Sequence, residues 1–167
     1  LEFKKIKNNI IIFEQKMFYY KLNLFYEDFV WQGTKAVLKK NFNSPQWLRN
    51  IKGKKYPRWR LDTLFSQKKY SNLLFVKDGG WHFTCLRTPE ELEKKLLNFA
   101  HHYEYEESGL KLDDIKKLIT EKRVMYDHTV DQKGYKWSGK SILKNFNTSG
   151  LPEYISANLN KFSDWLD

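Results

Sequence analysis

The stretch that decides the fold is Lys77-Asp78-Gly79-Gly80-Trp81-His82-Phe83-Thr84-Cys85-Leu86, which continues into Arg87-Thr88-Pro89-Glu90-Glu91-Leu92. A short apolar run, residues 73–76, precedes it, and two adjacent glycines separate that run from a Trp-His pair. This order predicts a strand, a glycine turn, a second strand and a capped helix, which is how α/β enzymes commonly build a site. The alternative is a tight hairpin turn with Trp81 in the core and His82 satisfied by local partners.

The size and composition of the chain indicate a folded domain. We expect a single domain over the 167 residues, because 41% are hydrophobic and 17% are aromatic. Cys85 is the only cysteine, which excludes an intramolecular disulfide and a cysteine-based metal site. The single cysteine and the lack of a signal peptide or apolar spanning run favour a cytoplasmic location. The chain begins with Leu1 rather than Met, as a piece of a longer polypeptide would.

The charge balance is basic, with a formal net charge of +10. A positive field attracts nucleic acid, anionic membranes or phosphorylated small molecules. The lysines accompany many Asn and Ile residues, a pattern typical of AT-rich coding, so we do not expect a nucleic-acid partner. Residues 51–71 are basic and irregular. We favour a solvated loop there over an anion-binding edge.

Hydrophobic patterns predict strands early in the chain and helices late, which favours an α/β class. Strands are predicted at residues 9–13 and 15–25, and residues 31–38 are predicted to form a turn into a third strand. Ser44-Pro45 predicts the start of a short helix. Thr88-Pro89-Glu90-Glu91 is a capping box, followed by a helical stripe of Leu92, Leu96, Phe99 and Tyr103. A second helix is predicted from Leu112. A last one is predicted from Gly150, with an apolar stripe of Ile155, Leu159, Phe162 and Leu166.

Histidines and carboxylates near the glycine turn are the candidates for chemistry. His82 follows the glycines directly, and Asp78 precedes them, where it either faces a cleft or only forms the turn. Glu90 lies in the first turn of the capped helix, and His101 near its predicted end, where it either binds a ligand or caps the helix. The sequence contains neither an H-x-x-x-H pair nor the glycine signatures of nucleotide-binding loops and serine hydrolases.

Several of these motifs together resemble glycosyltransferase family 17. The matching segments are Lys16 to Asn23, Trp31-Gln32-Gly33-Thr34-Lys35, Gly80-Trp81-His82-Phe83, Thr88-Pro89-Glu90 and Asn98-Phe99-Ala100-His101. The resemblance implies a GT-A-like mixed sheet flanked by helices and a UDP-sugar donor. It also implies a divalent cation, Mn²⁺ or Mg²⁺, held through a D-x-D motif. This sequence has no D-x-D triplet. We therefore expect the C-terminal part of such a domain, incomplete at its N-terminal side, with the cation bound mainly by residues outside this chain.

The resemblance also implies roles for the candidate residues. In an inverting transfer of N-acetylglucosamine or a related sugar to a glycan acceptor, Asp78 or Glu90 would be the base. His82 or His101 would contact metal or phosphate, Trp81 would pack on a sugar ring, and Lys35 and Arg58 would meet the diphosphate.

The same scheme predicts the shape of the site. We expect Asp78, Trp81 and His82 to line one concave surface, with Gly79 and Gly80 at its floor, where a ligand can approach the backbone most closely. The alternative function is a non-catalytic basic module that binds nucleic acid or another anionic polymer.

Overall fold

The computed structural model describes residues 10–57, 59–98, 102–130 and 134–167. These residues form a mixed α/β structure, which confirms the predicted class. The chain divides into two compact units: residues 1–15 and 31–80 form unit 1, and residues 16–30 and 81–167 form unit 2. Each unit contains its own sheet. The GT-A-like arrangement and the incomplete N-terminal side stay predictions.

Unit 1 is built on a three-stranded sheet in the order β4-β1-β5. Strand β1 (Ile10–Phe13) lies in the centre, antiparallel to β4 (Lys35–Val37) and parallel to β5 (Leu73–Val76). A central strand is covered on both faces, which is why the run of three isoleucines in β1 is fully buried. Ile51 and Leu73 complete the buried cluster.

The short helix predicted in unit 1 is confirmed. Helix α1 (Pro45–Asn50) begins after Ser44, whose side chain accepts a hydrogen bond from the backbone N–H of Trp47 at 3.1 Å. Trp47 then packs on the buried cluster and donates its indole N–H to the hydroxyl of Tyr70 at 3.0 Å. Two 3₁₀ turns, Lys39–Asn41 and Leu61–Thr63, flank α1 along the chain.

Unit 2 is built on a four-stranded sheet in the order β6-β2-β3-β7. The strands are β2 (Gln15–Tyr19), β3 (Leu24–Trp31), β6 (Trp81–Thr84) and β7 (Lys144–Asn145). The single strand predicted for residues 15–25 is therefore wrong, because the chain turns at Tyr20, whose φ is 63°. Strands β5 and β6 belong to different sheets, so the glycine turn between them is not a hairpin.

The sheet of unit 2 has two chemically different faces, because successive side chains of a strand alternate. Phe18, Phe25 and Phe83 lie on one face and pack with Phe146 and the C-terminal residues. Tyr19 and Tyr26 lie on the opposite face, with their ring centroids 6.4 Å apart. Strand β6 runs parallel to β2 and in register with it, so Phe18 pairs with Phe83 and Tyr19 with Thr84.

The helix predicted after Thr88 begins where the sequence predicts but ends earlier. Helix α2 (Pro89–Leu97) buries Leu92, then stops at Asn98, whose side chain donates to the carbonyl of Lys94. A new helix, α3 (His102–Ser108), follows, so Tyr103 is 69% exposed instead of continuing the stripe. Phe99 lies outside the described residues.

The last two predicted helices have different outcomes. Helix α4 (Leu112–Thr120) is confirmed and buries Ile115. The C-terminal helix is broken into α5 (Glu153–Ser156) and a 3₁₀ segment, Leu159–Trp165, because Asn158 has a non-helical φ of −131°. No helix among the described residues is long and apolar enough to cross a membrane.

The capping box of α2 supplies a test of the local fold. Thr88 Oγ1 accepts from the N–H of Glu91, and the Glu91 carboxylate accepts from the N–H of Thr88, both at 3.3 Å. Thr88→Ala should lower the free energy of unfolding by about 1 kcal/mol in a urea titration, because it removes the first bond. Thr88→Ser keeps the hydroxyl and should lie close to the wild type. Equal stabilities for all three proteins would contradict this role.

Candidate functional site

The glycine turn belongs to unit 1 and is shaped by contacts within the protein. Gly79 donates its N–H to the carbonyl of Glu14 at 2.8 Å. A Cβ at Gly79 would lie 2.9 Å from the Cβ of Phe13 and 3.0 Å from the carbonyl oxygen of Val76. Phe13 and Val76 therefore occupy the space that was predicted for a ligand. Glycine is required at position 80 because the backbone φ there is 125°, which other residues rarely adopt.

The structure also shows the surroundings of two polar residues of unit 1 that were predicted to be in the site, Lys35 and Asp78. Lys35 donates its ammonium group to the carbonyls of Arg49 (2.8 Å) and Ile51 (2.7 Å), at the C-terminal end of α1. Burial and the charge of Lys52 lower the pKa of Lys35. Asp78 is exposed in the turn, with φ at 49°. Contacts of Lys35 with a diphosphate and base catalysis by Asp78 stay predictions.

Trp81 and His82 face opposite sides of the sheet in unit 2. Trp81 shares its face with Phe83 and donates its indole N–H to the carbonyl of Gly150 at 2.9 Å. His82 points to the face of Tyr19, and when protonated it lowers the pKa of His128. The expectation that Trp81 and His82 line one surface is therefore wrong, because neighbouring residues of a strand alternate.

Glu90 is held in an ion pair. Its carboxylate lies 3.0 Å from the ammonium of Lys116 on α4, and both side chains are exposed. The hydrogen bond from Lys116 lowers the pKa of Glu90. A general base works best with a pKa near the working pH, so this environment does not favour Glu90 as the base. Arg58 and His101 lie outside the described residues.

The predicted metal contacts have no complete ligand set in the part of the chain that the structure describes. No group of three His, Cys, Asp or Glu side chains there could hold a metal ion. Burial lowers the pKa of His82, so its imidazole is neutral near pH 7. The described residues alone do not form the carboxylate site that the family resemblance implies.

An aromatic-lined cavity of about 350 Å³ lies in unit 2, where the parallel strands β2 and β6 end. Ligands of open α/β sheets bind beyond the carboxyl ends of strands, so this position is a natural one for a site. The lining residues come from two strands, two helices and the loop after α4: Tyr19, Thr84, Cys85, Leu96, Glu104, Tyr105, Met125, Tyr126, His128 and Trp137.

The aromatic rings hold one another in place around this cavity. The Tyr126 ring meets the Trp137 ring edge to face at 5.2 Å between centroids, and it meets His128 at 5.0 Å. Tyr105 lies 5.9 Å from Trp137. An adjoining cavity of about 510 Å³ shares Glu104, Tyr126 and Trp137 with the first and adds polar groups. The two cavities are therefore neighbours, and Glu104 is in both linings.

A buried carboxylate fixes the loop that carries Tyr126 and His128. Asp127 is 3% exposed and accepts hydrogen bonds from the hydroxyls of Tyr26 (2.7 Å), Thr129 (2.6 Å) and Ser141 (2.6 Å). Burial raises the pKa of Asp127, but the bonds from Ser141, Thr129 and Tyr26 outweigh it, and the pKa falls to about 2. Asp127 is therefore an anion at neutral pH, and its hydrogen bonds position the loop.

His128 forms a neutral wall of the site. Its ring stacks on Phe29 at 4.9 Å between centroids, with 27° between the planes. Burial and the nearby charge of Lys136 lower its pKa to about 4, against a raising effect of Asp127. At neutral pH the ring can donate and accept hydrogen bonds but carries no charge.

Two residues with positive φ lie directly after β2 and β6, at the end of the sheet where the cavity lies. Tyr20 follows the last residue of β2 with φ at 63°, and Cys85 follows the last residue of β6 with φ at 55°. Positive φ is unfavourable for bulky residues and gathers at functional sites. Both strands therefore end in strained residues, and one of these, Cys85, lines the cavity.

Sequence reasoning missed most of the cavity lining. Glu104, Tyr126, His128 and Trp137 come from helix α3 and the loop after α4, far along the chain from the glycine turn. The concentration of Tyr, His and Trp between residues 125 and 137 was the available signal. It could not show which of these rings face β2 and β6.

Comparisons with known proteins add no relative: no family model, no curated protein and no solved structure matches this chain.

The pKa of His128 predicts a pH dependence of stability. The folded pKa of about 4 lies below the ordinary value of 6.5, so between these values the unfolded chain binds the proton more readily. The stability gained by keeping the ring neutral is complete above pH 6.5 and is lost as the pH falls toward 4, at most roughly 3 kcal/mol.

Urea titrations between about pH 7 and pH 4.5 test this. The free energy of unfolding should decrease on acidification, and His128→Phe, which retains a ring against Phe29, should decrease less steeply. A variant whose slope equals that of the wild type would contradict the assignment.

Proposed function

We propose that this chain is a glycosyltransferase-like protein whose unit 2 binds a sugar in the aromatic cavity. The observation that carries the proposal is the cavity at the ends of β2 and β6, with Tyr126, His128 and Trp137 in its wall and the carboxylate of Glu104 in its lining. The motifs that resemble glycosyltransferase family 17 support the same substrate class. The reaction would be inverting transfer of N-acetylglucosamine, or a related sugar, from a UDP-sugar to a glycan.

The chemistry of the lining suits a pyranose. The C–H faces of a sugar ring pack on aromatic rings, and its hydroxyls donate to carboxylates. The volume of about 350 Å³ falls within the range of small-ligand pockets, roughly 300–1,000 Å³. The neutral ring of His128 can hydrogen-bond uncharged hydroxyls without the cost of burying an ion.

The transfer needs a base, and we assign Glu104 as the candidate. The acceptor hydroxyl oxygen attacks the anomeric carbon, the bond from that carbon to the diphosphate oxygen breaks, and UDP leaves with the electron pair. The hydroxyl proton passes to the base. Glu104 is the one carboxylate in the lining of the aromatic cavity among the described residues. Asp78 and Glu90 are the earlier alternatives, and neither is in this lining.

A divalent cation would help the departing diphosphate, as the family resemblance implies. The described residues of this chain do not supply three ligands for it, so the steps above use only protein side chains.

Replacement of Trp137 tests the sugar site. Trp137→Ala should weaken the binding of N-acetylglucosamine and of UDP-N-acetylglucosamine with Mn²⁺ by about tenfold or more in calorimetric titrations, because it removes an aromatic wall. Trp59→Ala, which removes an exposed tryptophan of unit 1, should bind as the wild type does. Equal affinities for both variants, with both folded by circular dichroism, would refute the cavity as the sugar site.

Replacement of Glu104 tests the base. Glu104→Gln should retain sugar binding but lower the rate of UDP release in the presence of a mannose-containing oligosaccharide by about 10²-fold or more. Glu106→Gln, on the same helix but outside both cavity linings, serves as the matched control and should retain the rate. Sugar binding without any UDP release from the wild type would limit the function to binding.

A further inference from the structure

Unit 1 contains a closed basic loop, residues 52–70, that the proposed function does not use. Its two ends are tied by backbone hydrogen bonds, from the N–H of Lys52 to the carbonyl of Lys68 (2.8 Å) and from the N–H of Tyr56 to the carbonyl of Tyr70 (3.3 Å). The loop lies between α1 and β5 along the chain and contains no strand among its described residues. The 3₁₀ turn Leu61–Thr63 lies near the middle of this loop along the chain, and we call residues 59–65 around it the apex.

The apex presents large apolar side chains to solvent. Trp59 is 80% exposed, and the others of the group are Leu61 (73%), Leu64 (72%) and Phe65 (89%). No other large apolar side chain in residues 10–57, 59–98, 102–130 and 134–167 is exposed to this degree. These four side chains lie within seven residues of the chain, and we call them the apolar patch. Soluble surfaces rarely expose so much apolar area in one place without a partner.

Exposed polar groups cross-link the residues of the apex. Asp62 accepts two hydrogen bonds from the guanidinium of Arg60, both at 2.8 Å, and one from the ammonium of Lys69 at 2.7 Å. Thr63 donates both its N–H and its hydroxyl to the carbonyl of Arg60. The apex is thus a preformed turn rather than an open chain, which lowers the entropic cost of docking.

The charge around the apex is strongly positive. Residues 38–70 contain ten lysines and arginines and one acidic residue, Asp62, a formal charge of +9 within a chain of net +10. Nearly the whole net charge of the protein therefore lies in this one segment. A partner for the patch must offer negative charge beside an apolar phase.

We propose that the basic loop docks on an anionic lipid bilayer, with Trp59, Leu61, Leu64 and Phe65 inserted among the headgroups and the lysines above them. Trp is favoured at the membrane–water interface, and Lys and Arg keep their charges in the headgroup layer while their stems lie along apolar groups. Juxtamembrane basic residues add attraction to anionic lipids. Nucleic acid fits less well: Trp59 and Phe65 offer rings on which a base could stack, but Leu61 and Leu64, half of the group, do not.

Vesicle flotation tests the proposal. The protein should float with vesicles of phosphatidylcholine containing roughly 30% phosphatidylserine at about 0.15 M salt, and should stay behind with phosphatidylcholine alone. Leu64→Ser/Phe65→Ser should weaken binding to the anionic vesicles by about tenfold or more, because it removes inserted apolar area but no charge. Leu97→Ser/Tyr154→Ser removes two exposed apolar side chains of unit 2 and should bind as the wild type does.

A second pair of variants separates charge from insertion. Lys54→Ser/Lys68→Ser, within the basic loop, should weaken vesicle binding, whereas Lys94→Ser/Lys95→Ser on α2 removes the same charge elsewhere and should not. If the double serine variant at the apex loses its fold by circular dichroism, Trp59→Ser replaces it. Fluorescence anisotropy with labelled single-stranded DNA is measured in parallel.

The outcomes are distinct. Vesicle binding that needs phosphatidylserine, Leu64 and Phe65 supports the proposal. Binding to DNA at the same salt that depends on Lys54 and Lys68, without vesicle binding, would overturn it in favour of a nucleic-acid surface. Vesicle binding unaffected by the apex variants, or no binding to either probe, would also overturn it. These results are independent of whether Trp137 and Glu104 bind and transfer a sugar.

Discussion

The parallel pairing of β2 and β6 is the constraint on which the structure of unit 2 depends. It joins residues 16–19 to residues 81–84, across more than sixty positions of the sequence. The register sets Phe18 against Phe83 on one face and Tyr19 against Thr84 on the other. A slip by one residue would exchange the faces, so the phenylalanine cluster and the cavity are specified together. The buried phenylalanines stabilise the register, and the register places the cavity.

A hydrogen-bond network outside the lining holds part of the cavity wall in place. Asp127 is buried and ionised, and its bonds to Tyr26, Thr129 and Ser141 hold the loop that presents Tyr126 and His128. Low-dielectric surroundings make such a network strong when every partner is satisfied. The same surroundings keep His128 neutral. One environment thus holds a fixed anion behind the site and an uncharged ring in its wall, a combination suited to a neutral ligand rich in hydroxyls.

The two units differ in net charge and in the composition of their cores. Unit 1 has a small apolar core under one three-stranded sheet and carries nearly all of the net positive charge in residues 38–70. Unit 2 has the larger aromatic core and the cavity. The chain passes from one unit to the other between Gly80 and Trp81. The residues from Asp78 to His82, which the sequence predicted to form one site, are therefore divided between the two units. Asp78 and the two glycines belong to unit 1, and Trp81 and His82 belong to unit 2.

The sequence by itself determined the local features, because they depend on neighbouring residues. The isoleucine run predicted β1, Ser44-Pro45 predicted α1, and the Thr88 capping box predicted the start of α2, all through contacts within a few positions. Only the tertiary structure decided which sheet each strand joins, which face His82 presents and that Glu104, Tyr126 and Trp137 surround one cavity. Those facts depend on pairing and packing between residues far apart in the chain, which no local pattern of residues encodes.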